Sequence, residues 1–260
     1  MVPFHANFSP FSRSSNSNSG SNYAPSVSSS LPLSHAPSSI CSARNTNSLP
    51  IFNCFSLNCN KANYIGHAVL NSLTDRALII LFQEPWLGKI GSSQSDSDLL
   101  GIDVYGMVHQ KSWLQFIPIP CISGSKDTAW VTAYVNKSHI SSFFRVSQRS
   151  DILEHLDLLI LEVCMGNKSF LLVNVYNDKH CSALSTLIAS SLPENLLIII
   201  SGDFNIHHPS WSLPNWDKSP FSDTFLQWAK PWGFVLLNDP EEVTFERGLD
   251  SSVLDLTWAN

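Results

Sequence analysis

The sequence predicts a mixed α/β protein built on sheets that combine parallel and antiparallel strands. Three observations carry that expectation. Short, unbroken apolar runs such as Ala77-Leu78-Ile79-Ile80-Leu81-Phe82 and Leu196-Leu197-Ile198-Ile199-Ile200 have the length and composition of strands covered on both faces. Two strand-like runs, His155–Val163 and Ser169–Tyr176, flank Met165-Gly166-Asn167-Lys168, whose Gly-Asn pair suits a tight antiparallel turn. Few helical segments separate the many strands, which does not fit a purely alternating βαβ domain.

The elements follow in chain order. Residues 1–50 are rich in Ser, Asn and Pro, hold no acidic residue and only two basic ones, Arg13 and Arg44. Such a segment cannot bury enough apolar surface to offset its ordering entropy, so a disordered tail is expected, with a transit peptide as the sharper alternative. From residue 51 to 260 the texture is that of a folded domain. Ile51–Leu57 reads as a first strand ending in Asn58-Cys59-Asn60, and a helix is expected up to about Leu73. The apolar run at 77–82 ends in Gln83-Glu84-Pro85, where proline stops the ladder. Residues 88–100 read as a mobile loop. Further strands are expected at Thr128–Val135, Gly233–Leu237 and Ser252–Trp258, and helices over Ala183–Ser191 and Ser222–Lys230, the latter capped by Ser222.

Composition bounds the function. Of 260 residues, 43% are hydrophobic and 14% charged, enough apolar content for a sizeable core. The net charge of -6 argues against a surface that holds nucleic acid by charge alone, so phosphate chemistry here must lean on a bound cation or a locally basic groove. The six cysteines form no C-x-x-C pair, which argues against a zinc site and for a reducing, intracellular setting. No apolar run reaches the roughly 18 to 20 residues of a membrane-spanning helix, and no secretory signal opens the chain.

Four strand ends finish in polar groups: Asn58 with Asn60, Glu84, Tyr176 with Asn177, and Asp203 with Asn205. A strand buried on both faces delivers its last residues to one edge of a sheet, where a crevice forms. Taken singly, each has a plain reading: Glu84 as a solvated carboxylate, Asp203 and Asn205 as turn closers, Tyr176 as a half-buried aromatic. Together they supply the oxygen donors that a hard divalent cation and a phosphate require. Adjacent His207 and His208 point apart on a loop and make a poor metal pair. The tryptophans 211, 216, 228 and 232 read as packing rather than as a base-stacking platform.

The ordered set Asn58-Cys59-Asn60, Gln83-Glu84, Val175-Tyr176, Gly202-Asp203-Phe204-Asn205 and Ser252-Val253-Leu254-Asp255-Leu256 resembles the endonuclease/exonuclease/phosphatase family. His207-His208-Pro209-Ser210-Trp211, Asn174-Val175-Tyr176-Asn177 and Asp255-Leu256-Thr257 resemble its non-LTR (LINE-type) retrotransposon branch. The resemblance implies a four-layer α/β/β/α sandwich of the DNase I-like type and Mg²⁺-dependent nicking of DNA, with Mn²⁺ as an alternative cation and no small-molecule cofactor. It implies Glu84 and Asn58 as metal-binding residues. Asp203 orients or deprotonates water, Asn205 holds that site and the phosphate, and Tyr176 bonds a phosphate oxygen. Asn60, His207 and Thr244 resemble positions that face nucleic acid. The family pattern continues past Asp255 to a Ser-Asp-His strand whose histidine Asp255 would hold. The sequence ends at Asn260, so the last strands are expected to be missing and catalysis weakened. A nuclear location and a partner reverse transcriptase segment, absent from this sequence, go with the same resemblance. An inactive nucleic-acid-binding remnant and a phosphatase of the same fold are the alternatives.

Overall fold

The structure is a computed structural model that describes residues 2–6, 52–93, 102–118, 128–212, 217–239, 243–247 and 250–260. Two sheets form its middle. The first, of five strands, has the order β1 (Val2–Ala6), β2 (Phe52–Asn58), β3 (Ile79–Gln83), β7 (Val131–Asn136), β6 (Trp113–Phe116). The second, of six, has the order β12 (Val235–Leu236), β15 (Asp255–Ala259), β11 (Leu197–Asp203), β10 (Lys168–Tyr176), β9 (Leu158–Met165), β8 (Phe144–Gln148). Two short ribbons lie apart from these sheets: β4 (Leu87–Ser93) with β5 (Ile102–Met107), and β13 (Phe245–Arg247) with β14 (Asp250–Ser252).

Helices cover the outer faces. The helix α1 (Asn63–Ser72) buries Val69 and Leu70 against Ile80, Phe82 and Tyr134 of the first sheet. The helices α2 (Ser182–Ala189) and α3 (Pro220–Trp232) bury Leu184, Leu187 and Phe225 against Leu171, Val173, Ile198 and Ile200 of the second. Strand periodicity explains the division, because successive side chains leave opposite faces. Along β10 the odd residues 171, 173 and 175 face the helices. Phe170 points instead to the other sheet, its ring meeting Phe52 edge-on at 5.1 Å. Helix, sheet, sheet, helix: the predicted four-layer sandwich is present, and it mixes parallel pairs (β2 with β3, β10 with β11) with antiparallel ones.

The predicted Gly-Asn hairpin joins β9 to β10, with Met165 opposite Lys168 and Gly166 at φ 63, the left-handed conformation such a turn requires. Several expectations need correction. Residues 88–93 are strand, not loop; Gly88, Gly91, Ser92 and Ser93 give this segment no apolar run to mark it in sequence, and 94–101 lie outside the described residues. Helix α3 begins two residues before Ser222: Ser219 is its N-cap, Pro220 takes the first helical position, and Ser222 turns its hydroxyl back to the Ser219 carbonyl. The strand expected at 252–258 is broken at Val253-Leu254, where the chain changes partners: Ser252 pairs with Phe245, and from the Leu254 carbonyl, which accepts the Phe204 N–H, onward it runs beside β11. In the tail expected to be disordered, Val2–Ala6 form strand β1 beside β2; residues 7–51 lie outside the described residues. Among the described residues Cys54, Cys59, Cys164 and Cys181 are free thiols, and no helix is long and apolar enough to cross a membrane.

Candidate active site

Strand register builds the site. In the second sheet Tyr176 of β10 pairs with Asp203 of β11, and Asp203 pairs with Asp255 of β15, so three neighbouring strands bring these side chains to one level. In the first sheet Asn58, the last residue of β2, pairs with Gln83, the last of β3, and Glu84 follows at once. Below this edge a buried polar bridge ties the sheets. The Gln83 side-chain amide donates to Asn174 Oδ1, and Asn174 Nδ2 donates to the carbonyls of Phe82 at 3.0 Å and Thr132 at 2.9 Å. Gln83, Thr132 and Asn174 are all 0% exposed, so each bond is made where a lost partner could not be replaced by water.

Above the bridge opens a cavity of about 720 Å³ lined by Asn58, Asn60, Glu84, Tyr176, Asp203, Asn205, Thr244 and Asp255, together with Glu246, Leu57 and Leu254. Asn58 sits between the two halves. Its Nδ2 donates to Asp203 Oδ2 at 2.8 Å and reaches Glu84 Oε1 at 3.4 Å, while its Oδ1 accepts the Asn60 N–H at 2.8 Å. Asp203 Oδ1 accepts the Asn205 N–H at 3.1 Å, and Asn205 Nδ2 donates to the Asn177 carbonyl at 2.8 Å. Asn177 in turn bonds the main chain on both sides of Phe204, through its N–H to Asp203 O and its Nδ2 to Phe204 O, both at 2.8 Å.

The backbone here is held in an unusual conformation. Five non-glycine residues have positive φ among the described residues, and three of them line the cavity: Asn60 at 46°, Glu84 at 45° and Asn205 at 48°. Lys61, adjacent to Asn60, is a fourth at 56°. Left-handed residues of this kind cost on the order of 1–3 kcal/mol each and concentrate where geometry serves function.

Electrostatics points the same way. Burial and then the neighbouring Asp255 charge push the Asp203 carboxyl up to about 7, although the Asn58 amide partly opposes them. Burial likewise pushes Asp255 up to about 6, against a hydrogen bond from Thr244. The Tyr176 phenol is raised well above its ordinary value by burial, then by Glu84 and Asp203. Buried Asp255 Oδ1 has no hydrogen-bond partner. Carboxylates gathered this tightly, with one oxygen left over and no lysine or arginine among the described lining residues, suit a divalent cation. No three Asp, Glu, His or Cys side chains among the described residues form a metal cluster by themselves. A hydrated Mg²⁺ needs only one or two carboxylates, with water and phosphate completing its shell, so the donor set fits that ion.

Each sequence-predicted residue can now be placed. Asn58, Asn60, Glu84, Tyr176, Asp203, Asn205 and Asp255 meet around one cavity. Thr244 is also there, but its hydroxyl oxygen accepts the N–H groups of Leu254 at 2.9 Å and Asp255 at 3.0 Å, so it braces Asp255. His207 does not line the cavity; its N–H donates to Ser219 Oγ at 2.8 Å, at the start of α3. Trp211, Trp228 and Trp232 pack in the core of the second sheet, as expected, and Trp216 lies outside the described residues. Sequence reasoning missed Glu246, which a three-residue strand presents to the cavity without any periodic signal, and Trp130, whose ring stacks on Tyr176 at 5.1 Å and 9°.

Residues 170–260 match the family described as endonuclease-reverse transcriptase. Among solved structures, the fold is similar to the endonuclease domain of TRAS1, a telomere-specific non-LTR retrotransposon, with a TM-score of 0.57 and 15% identity over 80% of this chain and 84% of that one. Lower similarity extends to an endonuclease/exonuclease/phosphatase family protein from Leptotrichia buccalis (TM-score 0.42, 10% identity, 80% and 86% covered). It extends also to D. rerio TDP2 complexed with single strand DNA product (TM-score 0.39, 12% identity, 79% and 81% covered). No curated protein matches the chain.

Proposed function

We propose that the chain is a member of the endonuclease/exonuclease/phosphatase family and a metal-dependent phosphodiesterase that nicks DNA in the manner of a LINE-type retrotransposon endonuclease; the family match over residues 170–260 and the fold shared with the TRAS1 endonuclease domain support this reading. The observation that carries this reading is the meeting of Asn58, Glu84, Tyr176, Asp203, Asn205 and Asp255 at one cavity, delivered by five strands of two sheets.

The geometry supports the following roles. Glu84 and Asn58 would hold Mg²⁺, which when bound polarises a phosphoryl oxygen and offsets the charge that develops on it. Asp203, whose proton affinity lies near neutrality, takes the proton from the attacking water; a base of that strength is matched to work near pH 7. Asn58 and Asn205 fix the two Asp203 oxygens, so its lone pairs are aimed before substrate arrives. Tyr176, kept protonated by its raised affinity, donates its O–H to a phosphate oxygen. Asp255, its backbone braced by Thr244, lines the same cavity. The nucleus, where a retroelement meets its DNA target, would be the place of action.

A second reading, a nucleic-acid-binding module without catalysis, draws on one observation: among the described residues no histidine lines the cavity. Nicking of supercoiled plasmid with Mg²⁺ separates the two. Cleavage should occur, and should fall by about 10²-fold or more in Asp203→Ala and Glu84→Ala proteins. Cleavage that survives both substitutions rules out this site, and DNA binding without any cleavage selects the second reading.

A further inference from the structure

Among the described residues the cavity wall carries four carboxylates, Glu84, Asp203, Glu246 and Asp255, and no lysine, arginine or histidine. A polyanionic strand needs a cation beside such a wall as well as a metal within it. Lys61 follows cavity-lining Asn60 directly, and its N–H donates to the Glu84 carbonyl at 2.8 Å, which fixes it at the lip. Its ammonium makes no ion pair among the described residues and lies 4.0 Å from the centroid of the Trp130 ring. Trp130 stacks on Tyr176, and its carbonyl accepts the Glu84 N–H at 2.9 Å. Trp130 therefore meets the lip cation and the cavity phenol through its indole, and the backbone of the proposed metal ligand through its own carbonyl. A π-face steadies an ammonium without consuming its three N–H donors, which stay available to an anion. It also offers Lys61 an alternative to pairing with Glu84, which would neutralise that carboxylate.

We propose that Lys61 is a substrate-binding residue that contacts a backbone phosphate beside the scissile one, and that Trp130 is the positioning residue that holds both Lys61 and Tyr176. This rests on the phosphodiesterase reading above. Binding of a labelled DNA duplex tests it, measured in Mg²⁺ on an Asp203→Ala background that prevents cutting. Lys61→Gln should weaken binding roughly three- to tenfold. It should also lower the slope of log K against log salt by about 0.9, the signature of one lost phosphate contact. Lys61→Arg should retain both. Trp130→Leu should weaken binding to a similar degree, and combining it with Lys61→Gln should add little, because the two act as one unit. In protein with Asp203 intact, Lys61→Gln should raise KM with kcat nearly unchanged. Trp130→Leu should lower kcat as well, by freeing Tyr176, and Trp130→Phe should restore most of it. Lys61 is exposed, so its substitution does not endanger folding. If wild-type protein nicks DNA and Lys61→Gln keeps the wild-type affinity and salt slope, this inference alone is overturned. If wild-type protein neither nicks nor binds DNA, the phosphodiesterase reading falls and takes this one with it.

Discussion

Replacing Asp203 with asparagine is expected to stabilise the metal-free protein while it abolishes nicking. Asp203 is 5% exposed, and its carboxyl is raised from an ordinary 3.8 to about 7, by burial first and by Asp255 second. At about pH 8 the folded protein therefore carries a charge that the unfolded chain accommodates more easily, at a cost of about 4 kcal/mol. Asparagine removes the charge. It offers one acceptor oxygen to the two donors now satisfied, Asn58 Nδ2–H and the Asn205 N–H, so one hydrogen bond of about 1–1.5 kcal/mol is lost. The net gain is on the order of 2–3 kcal/mol at pH 8. The sign of the pH dependence is fixed. Between about pH 4 and 7 the folded wild type binds a proton that the unfolded chain does not, so this group's contribution to wild-type stability falls as pH rises through that window. The variant lacks that component, and its advantage should shrink on acidification and reverse near pH 4, where only the lost bond remains. Urea denaturation in EDTA at pH 8, 6 and 4 measures this directly. Saturating Mg²⁺ should narrow the gap at pH 8 by binding only the native wild-type site. A variant no more stable than wild type at pH 8 in EDTA, or a gap that does not change with pH, would refute the placement of a destabilising charge at Asp203.

Two further substitutions, with Gly233→Ala as a control, probe the scaffold that holds this charge. Gly202→Ala should cost about 3 kcal/mol or more, because an added Cβ would lie 2.0 Å from the Val175 carbonyl oxygen at a φ of 149°. Gly233→Ala, at φ 77 but facing open space, should cost only about 1 kcal/mol in the same denaturation series, and equal losses would contradict this account. Asn174→Leu strands the buried carbonyls of Phe82 and Thr132 and the Gln83 amide, and should lower stability by about 2–4 kcal/mol. A loss below about 0.5 kcal/mol would show that the inter-sheet bridge does not hold the strand ends together.

What could be read from the sequence, and what could not, divides along the range of the interactions involved. Glu84 and Asp203 were legible because an apolar run stops where the sheet's edge begins, and the residue after the stop is carried to that edge whatever else the chain does. The hairpin at Gly166-Asn167 was legible for the same reason, since its geometry is closed within four residues. The ribbons β4–β5 and β13–β14 carry no continuous apolar run in sequence, so nothing in their composition separated Lys89 or Glu246 from loop residues. The helix start at Ser219 was hidden because Ser219 and Ser222 are equal candidates in sequence; Pro220 and the bond from the His207 N–H to Ser219 Oγ decide between them. Thr244 was found at the cavity for its position, yet its work is done ten and eleven residues away, on the backbone of Leu254 and Asp255.

The interactions that couple the two sheets are the least local, and they set the chemistry. Asn58 reaches Asp203 across 145 positions of sequence, and Gln83 reaches Asn174 across 91. These amides bring Glu84 and Asp203 together, and β-sheet register sets Asp203 beside Asp255; a chain of net charge -6 has no electrostatic reason to make either approach on its own. Neutral amides can do so because they donate to carboxylates without cancelling their charge. A lysine in place of Asn58 would satisfy the same oxygens, draw the Asp203 proton affinity down and fill the position a divalent cation requires. The burial and the unrelieved repulsion from Asp255 that make Asp203 a base near neutrality thus also make the cavity receptive to a cation, and they rest on the bridge beneath, at Gln83 and Asn174, which is fully buried and bonded.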